Sequence, residues 1–195
     1  MSVSAIIMAA GFSIRMNQDK LKMKIKEKSM YQYIFERIYM CSKCFKEVIV
    51  VAKDDDILKK SLEMGFKAVL NDKSHLGQSQ SIKLGILNCS DSGYMFFTAD
   101  QPFISEETIK ELVSAFEKNP NNIIVPCYNG ICKSPAIFPK IYKKQLLMLS
   151  GDTGGKVIIK DNQHKLIKVN IQSEDELIDI DTMEDYRRVC IERGD

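Results

Sequence analysis

The sequence predicts an α/β protein: a mostly parallel sheet covered by helices on both faces, in three layers. Three observations carry this. Over the first 127 residues short apolar runs alternate with helical patterns, the signature of βαβ units. Several of those runs are continuously apolar, as strands buried on both faces require. No long linker, internal repeat or low-complexity tract interrupts the order, so one domain over residues 1–195 is expected. Parallel connections imply right-handed crossovers, and ligands of such sheets sit beyond the carboxyl ends of the strands.

Residues 3–8 form the first apolar run. From Met30 the apolar positions Met30, Ile34, Ile38 and Cys41 recur at helical spacing. Residues 47–52, rich in β-branched side chains, are the second strand. Asp54, Asp55 and Asp56 then open a short helix through Ile57, Leu58, Ser61 and Leu62, because acids favour a helix start. Gly65 ends it. A short strand follows at 67–70, then a helix after Gly77 with Ile82, Gly85, Ile86 and Cys89 on one side. Residues 94–98 are another buried strand. Ser105 caps a helix with Glu106 and Glu107 in its first turn and Ile109, Leu112, Val113 and Phe116 facing inward. Residues 122–126 and 136–138 read as strands, 142–149 and the segment after Gly154 as helices, 166–171 as a strand and 181–191 as a terminal helix.

Composition narrows the function. A chain of 195 residues buries roughly 70% of its unfolded surface. Its hydrophobic (45%) and charged (28%) fractions are those of a soluble globular protein. A net charge of +2 lacks the basic excess of a duplex nucleic-acid binder. No apolar run approaches the ~20 residues of a membrane span, and no basic leader with a cleavage site opens the chain. A cytoplasmic location is therefore expected. The six cysteines (Cys41, Cys44, Cys89, Cys127, Cys132, Cys190) read as reduced thiols rather than a disulfide framework. Cys41 and Cys44 form a lone CxxC at the end of a helical pattern, without the further ligands of a zinc site or the helix-opening position of a thioredoxin motif.

Four stretches point to chemistry. The first strand runs into Met-Ala-Ala-Gly-Phe-Ser-Ile-Arg-Met-Asn-Gln-Asp-Lys, residues 8–20. Small residues let backbone N–H groups approach a ligand closely, and Arg15 with Lys20 supplies two cations suited to a polyphosphate. The turn is neither a P-loop nor GxGxxG; the plain alternative is a tight turn with solvated charges. Second, Asp100 in TADQPF directly follows a buried strand, where a carboxylate can hold magnesium beside phosphates or simply cap a turn. Third, Asp179 and Asp181 share one side of an extended segment, and Asp181 is placed to cap the next helix. Fourth, LGQSQS (76–81) offers small and amide side chains for a base or ribose, or a helix cap. His75 and His164 have no triad arrangement around them, and the methionines fit core positions.

Taken together these motifs resemble the MobA-like nucleotidyltransferases. AAGFSIRMNQDK is similar to that family's AAG or AGG turn followed by Arg-Met-Gly and Lys. TADQPF is similar to its metal-binding segment, and GQSQSIKLGI to its Gly…Ser-Ser-Leu-Arg-x-Gly helix start. KSPAIF, LSGDTGGKVII and DIDTMEDY complete the series in order across nearly the whole chain. The resemblance implies a Rossmann-like three-layer α/β/α sandwich of the nucleotide-diphospho-sugar transferase type. Within the family, the AAG turn, ADQPF and the GDxGG element resemble the molybdenum cofactor cytidylyltransferases, which join CMP from CTP to the phosphate of molybdopterin.

Carried over by position, Ala9, Ala10, Gly11 and Ser13 would shape the nucleotide turn. Arg15 and Lys20 would bind the triphosphate and stabilise charge at the α-phosphorus. Asp100 and Asp181 would hold Mg2+, with Asp100 catalytic alongside Arg15 and Lys20. Gln78, Ser79 and Ser81 would lie near base and ribose. Ser134, Pro135, Gly151, Asp152, Gly154, Gly155 and Lys156 would lie on the acceptor side. Three positions depart from the pattern: Asn17 stands where Gly is usual, Ser134 where His is frequent, and Lys156 where Arg is usual, which removes a bidentate donor. The implied partners are CTP or another NTP, a molybdopterin-type acceptor, and a recipient molybdoenzyme or its chaperone, with no nucleic acid or membrane. GTP as donor, a sugar phosphate or methylerythritol phosphate as acceptor, and a non-catalytic module that delivers the finished cofactor remain open alternatives.

Overall fold

The computed structural model describes residues 3–11, 16, 19–90 and 93–193. Its centre is a sheet with the order β10-β7-β9-β6-β1-β4-β5. The strands are β1 (Val3–Ala9), β4 (Val48–Ala52), β5 (Lys67–Leu70), β6 (Gly93–Thr98), β7 (Ile123–Tyr128), β9 (Ala136–Phe138) and β10 (Leu166–Asn170). β1 pairs in parallel with β4 and β6, β4 with β5, and β7 with β10. β9 enters between β6 and β7 and is antiparallel to both. The expected α/β/α sandwich on a mostly parallel sheet is what forms.

Strand alternation sorts the core into two faces. Val3, Ala5, Ile7 and Ala9 of β1 point into one layer with Met30, Ile34, Phe35 and Ile38 of α1 (Met30–Met40). Ile57 of α2 (Asp55–Glu63), Ile109, Leu112, Val113 and Phe116 of α4 (Glu106–Lys118), and Val189 of α7 (Met183–Arg193) join them. Ile6 points the other way, into a layer with Ile82 and Ile86 of α3 (Gln78–Leu87), Leu146 of α5 (Lys143–Met148) and Ile158 of α6 (Lys156–Asp161). Each fully buried aliphatic or aromatic side chain stabilises the fold by roughly 1.5–3 kcal/mol.

The helix starts obey local capping chemistry. Asp54 accepts from the backbone N–H groups of Asp56 and Ile57, and Ser105 Oγ from that of Thr108. Gly65, at φ 78°, follows the end of α2. The terminal helix begins later than residue 181, and Asp181 is not its cap. Thr182 Oγ1 accepts from the Asp185 N–H at 3.1 Å, while Asp185 Oδ2 accepts from the Thr182 N–H at 3.0 Å. That reciprocal pair closes the helix start and leaves Asp181 on the site side of it.

Two small hairpins were not foreseen. β2 (Lys24–Ile25) pairs with β3 (Lys28–Ser29), and β8 (Ile131–Cys132) pairs with the end of β7. Two-residue strands are too short to show a hydrophobic period. The second hairpin also corrects the reading of the cysteines. Cys127 and Cys132 stand directly opposite in the β7–β8 register, with Cα atoms 4.1 Å apart, and form a disulfide. Counting cysteines against compartment gives no access to register, which is what pairs these two. Cys41, Cys44, Cys89 and Cys190 keep their thiols outside that disulfide. Burial pushes the Cys41 thiol up to about 11, so it stays protonated at neutral pH rather than becoming a ready metal ligand.

Candidate active site

The carboxyl ends of four strands align on one rim. Ala9 pairs with Ala52, Ala52 with Leu70, and Met8 with Thr98. β9 runs the opposite way with Ala136 beside Phe96, so its leading residues Ser134 and Pro135 reach the same rim. The described residues that follow β1, β4, β5 and β6, and those that lead into β9, therefore lie on one side of the sheet, as the crossover topology demands.

The turn after β6 is fixed from two sides. The Ala99 N–H donates to the Met8 carbonyl at 3.1 Å, tying the turn to the end of β1. The Ile180 N–H donates to the Asp100 carbonyl at 3.0 Å, bringing residues 179–181 alongside. Lys20, in a short 3₁₀ turn and only 8% exposed, points between the two acidic segments. Its Nζ lies 2.7 Å from Asp100 Oδ2, 2.9 Å from Asp181 Oδ1 and 3.2 Å from the Ile180 carbonyl oxygen. Burial on its own would lower the Lys20 pKa, but Asp100 and then Asp181 outweigh it and hold it above its ordinary value. The ammonium is therefore a permanent cation at physiological pH.

A second lysine completes the network. Lys133 Nζ donates to the Leu177 carbonyl at 3.0 Å and lies 3.3 Å from Asp179 Oδ2. Burial and the neighbouring Asp100 push the Asp179 carboxyl up, against the opposing pull of Lys133. Three carboxylates (Asp100, Asp179, Asp181) thus face two ammonium groups (Lys20, Lys133). One Asp100 oxygen, Oδ1, is buried with no protein partner among the described residues.

Among the residues expected to shape the nucleotide turn, Ala9 and Ala10 are buried and Gly11 is exposed. Ser13, Arg15 and Asn17 lie outside the described residues. Ser79 and Ser81 are buried in the first turn of α3, and Gln78 precedes them. Of the residues expected to meet an acceptor, Pro135 is buried beside half-buried Ser134, and the Ser134–Pro135 peptide is cis. Gly151, Asp152, Gly154 and Gly155 form the loop before α6, and Lys156 is exposed at its start. That loop does not stand apart from the first turn of α3: the Gln78 N–H donates to Asp152 Oδ1 at 3.2 Å, and the Ser79 N–H to the Gly151 carbonyl at 3.2 Å. His75 and His164 are exposed.

Three residues at this rim escaped the sequence reading. Asn71 follows β5, is fully buried, and donates through Nδ2 to Ser81 Oγ at 3.0 Å while its Oδ1 has no protein partner among the described residues. Gln101, 3% exposed, accepts from Thr98 Oγ1 and leaves its Nε2 in the same condition. Lys133 is the third. Asn71 had one available signal, a polar residue at the carboxyl end of a predicted strand. Buried polar atoms without partners are costly, and Ser79 Oγ is another.

The model of the MobA-like NTP transferase domain matches residues 5–167. A protein described as a probable molybdenum cofactor guanylyltransferase from Natranaerobius thermophilus is 34% identical over 131 residues, covering 66% of this chain and 62% of that protein. One of the same description from Aquifex aeolicus is 25% identical over 191 residues, covering 94% of this chain and 88% of the other. The crystal structure of Rv0371c from Mycobacterium tuberculosis H37Rv superposes with a TM-score of 0.83 at 18% identity, covering 97% of each chain, and so shares the fold. Because the matched span runs from the first strand into the last strand of the sheet, the chain belongs to the family of MobA-like NTP transferase domains.

Proposed function

We propose that this protein transfers a nucleotidyl group from an NTP to the phosphate of a molybdopterin-type acceptor. The observation that carries the proposal is the convergence of Lys20, Asp100 and Asp181 at the rim where the AAG turn ends. In the reaction a phosphate oxygen of the acceptor attacks the α-phosphorus in line. The new P–O bond forms as the bond to the bridging oxygen breaks, and pyrophosphate leaves. The protein must align two anions that repel each other and neutralise the one that departs. Lys20 supplies a fixed, buried positive charge for this, and Arg15 is assigned to the same task by its place in the turn. The backbone of Ala9, Ala10 and Gly11 lets phosphate approach closely.

The side chains present fit a magnesium ion. Carboxylate oxygens are its preferred protein ligands, one or two of them sufficing beside substrate phosphates, and the buried Asp100 Oδ1 has no protein partner among the described residues. Asp100 and Asp181 would hold the ion, which supplies charge neutralisation at the phosphates.

The name shared by the two curated relatives supports a molybdopterin-type acceptor and favours GTP as donor. The AAG turn, ADQPF and GDTGG favour CTP by resemblance. Asn71, Ser79 and Ser81 offer polar atoms to a base in either case. The product would pass to a recipient molybdoenzyme or its chaperone. The test is pyrophosphate release from purified protein with magnesium and each of CTP, GTP, ATP and UTP, with and without molybdopterin. Acceptor-dependent release with CTP or GTP is the expected result; none with any nucleotide overturns the proposal.

A further inference from the structure

The loop of residues 151–155 interlocks with the first turn of α3. A helix leaves its first N–H groups without intrahelical partners. In α3 the residue at the cap position is Gly77, which has no side chain to offer. Asp152 Oδ1 accepts from Gln78, 74 positions away, and the Gly151 carbonyl from Ser79, so two of those N–H groups are satisfied by a segment distant in the chain. The fit is close enough to dictate residue type. Gly77 stands at φ 97°, ψ 178°, and a Cβ there would lie 2.4 Å from the Gly151 carbonyl carbon. A Cβ on Gly154 would meet only the movable end of the Gln78 side chain, so the requirement for glycine rests on Gly77.

We infer that Asp152 and Gly151 are positioning residues for the nucleotide side of the site: they cap α3 from outside and set its first turn, with Ser79 and Ser81, against Asn71. The inference rests on the proposed nucleotidyl transfer and reassigns Asp152 within it. A carboxylate at a helix N-terminus is favoured by the helix dipole, whereas beside an anionic acceptor it would repel. Asp152 also fills the end of α3, which leaves the triphosphate to the 9–20 turn.

The test compares Asp152→Ala with Asp152→Asn in the full chain, because the Asn side-chain oxygen still accepts a hydrogen bond. Amide hydrogen exchange of Gln78 and Ser79 without substrate, calorimetric affinity for Mg-CTP and Mg-GTP without acceptor, and the acceptor KM are read together. Asp152→Ala is expected to speed Gln78 exchange and weaken nucleotide binding each about 3- to 10-fold, the scale of one ordinary hydrogen bond lost at an exposed position. Acceptor KM stays within about 2-fold, and Asp152→Asn restores both changes. Unchanged Gln78 exchange, a raised acceptor KM at unchanged nucleotide affinity, or an Asn variant as damaged as the Ala variant overturns the inference. If the wild type binds neither nucleotide, the proposed function fails by itself, and the exchange data alone decide whether Asp152 holds the helix.

Discussion

Lys20 and Asp100, 80 positions apart in the chain, meet at 2.7 Å. Nothing local brings them together; the parallel pairing of β1 with β6 does, by ending both strands on one rim. Both side chains are largely withdrawn from solvent, at 10% and 22% exposure, so their fields are screened less than those of a surface pair. Such a pair marks where the protein concentrates charge, and the proposed reaction develops charge there.

Removing either partner should therefore disable turnover more than folding. Lys20→Ala and Asp100→Ala are each expected to lower kcat/KM by 10²–10³, or roughly 3–4 kcal/mol, the range for losing one transition-state charge contact. Circular dichroism should show the native spectrum in both variants. A variant keeping more than about half of wild-type kcat/KM, a difference of only ~0.4 kcal/mol, would remove that residue from the catalytic set.

Lys133 anchors the segment that carries Asp179 and Asp181, through the Leu177 carbonyl and Asp179. The pair is about one-third exposed, so its loss should be modest. Lys133→Met is expected to destabilise by about 1 kcal/mol in urea unfolding. Combining it with Asp179→Asn should cost less than the sum of the single changes, by about 0.5 kcal/mol or more if the two side chains interact. Strict additivity would show that the anchor is the carbonyl contact alone.

Much of this was legible in the sequence, for identifiable reasons. The apolar runs of β1, β4 and β6 and the periodic faces of α1 and α4 are long enough to declare their type. Asp100 and Asp181 were legible because each follows or precedes a recognisable element. What stayed hidden depends on tertiary partners. Thr182, not Asp181, caps the last helix because Asp185 lies three residues on and reciprocates. Cys127 and Cys132 join because a two-residue hairpin sets their register. Asn71 lies in no quoted motif, and Lys133, though it opens KSPAIF, carries no assigned role there; both acquire meaning only from what the fold places beside them. The role of Asp152 at the start of α3 was hidden for the same reason.

The caps give a local test of the helix starts. Ser105→Ala removes the acceptor for the Thr108 N–H, and Thr182→Ala removes the acceptor for the Asp185 N–H. Each should lower stability by about 1 kcal/mol, read as a fall in the urea midpoint at unchanged m-value. The Thr182 change also reaches the site, because Asp181 is the preceding residue. It should raise the KM for Mg-NTP, whereas Ser105→Ala should leave kinetics unchanged. Equal kinetic effects of the two variants would separate the last helix from the site.

Glu47 gives the pH dependence of the fold. Its Oε1 accepts from the Ser90 N–H at 2.7 Å, from Ser4 Oγ at 3.1 Å, and from Ser90 Oγ. These bonds tie the start of β1 to the segments before β4 and after α3. Burial by itself would raise the Glu47 pKa, but the hydrogen bonds from Ser90 and then Ser4 outweigh it and hold it below its ordinary 4.5. A carboxyl depressed in the folded state binds protons more readily when unfolded. Its contribution is therefore complete above that ordinary value and is lost as the pH falls through the lower folded one. Glu47→Gln keeps an acceptor oxygen but removes the titration. At pH 7 the variant should be less stable by about 1–2 kcal/mol, the worth of hydrogen bonds to a charged rather than a neutral acceptor. Urea midpoints measured stepwise from pH 7 down to strongly acid conditions should show wild type and variant converging. A difference that stays constant throughout would mean that Glu47 acts by shape and not by charge.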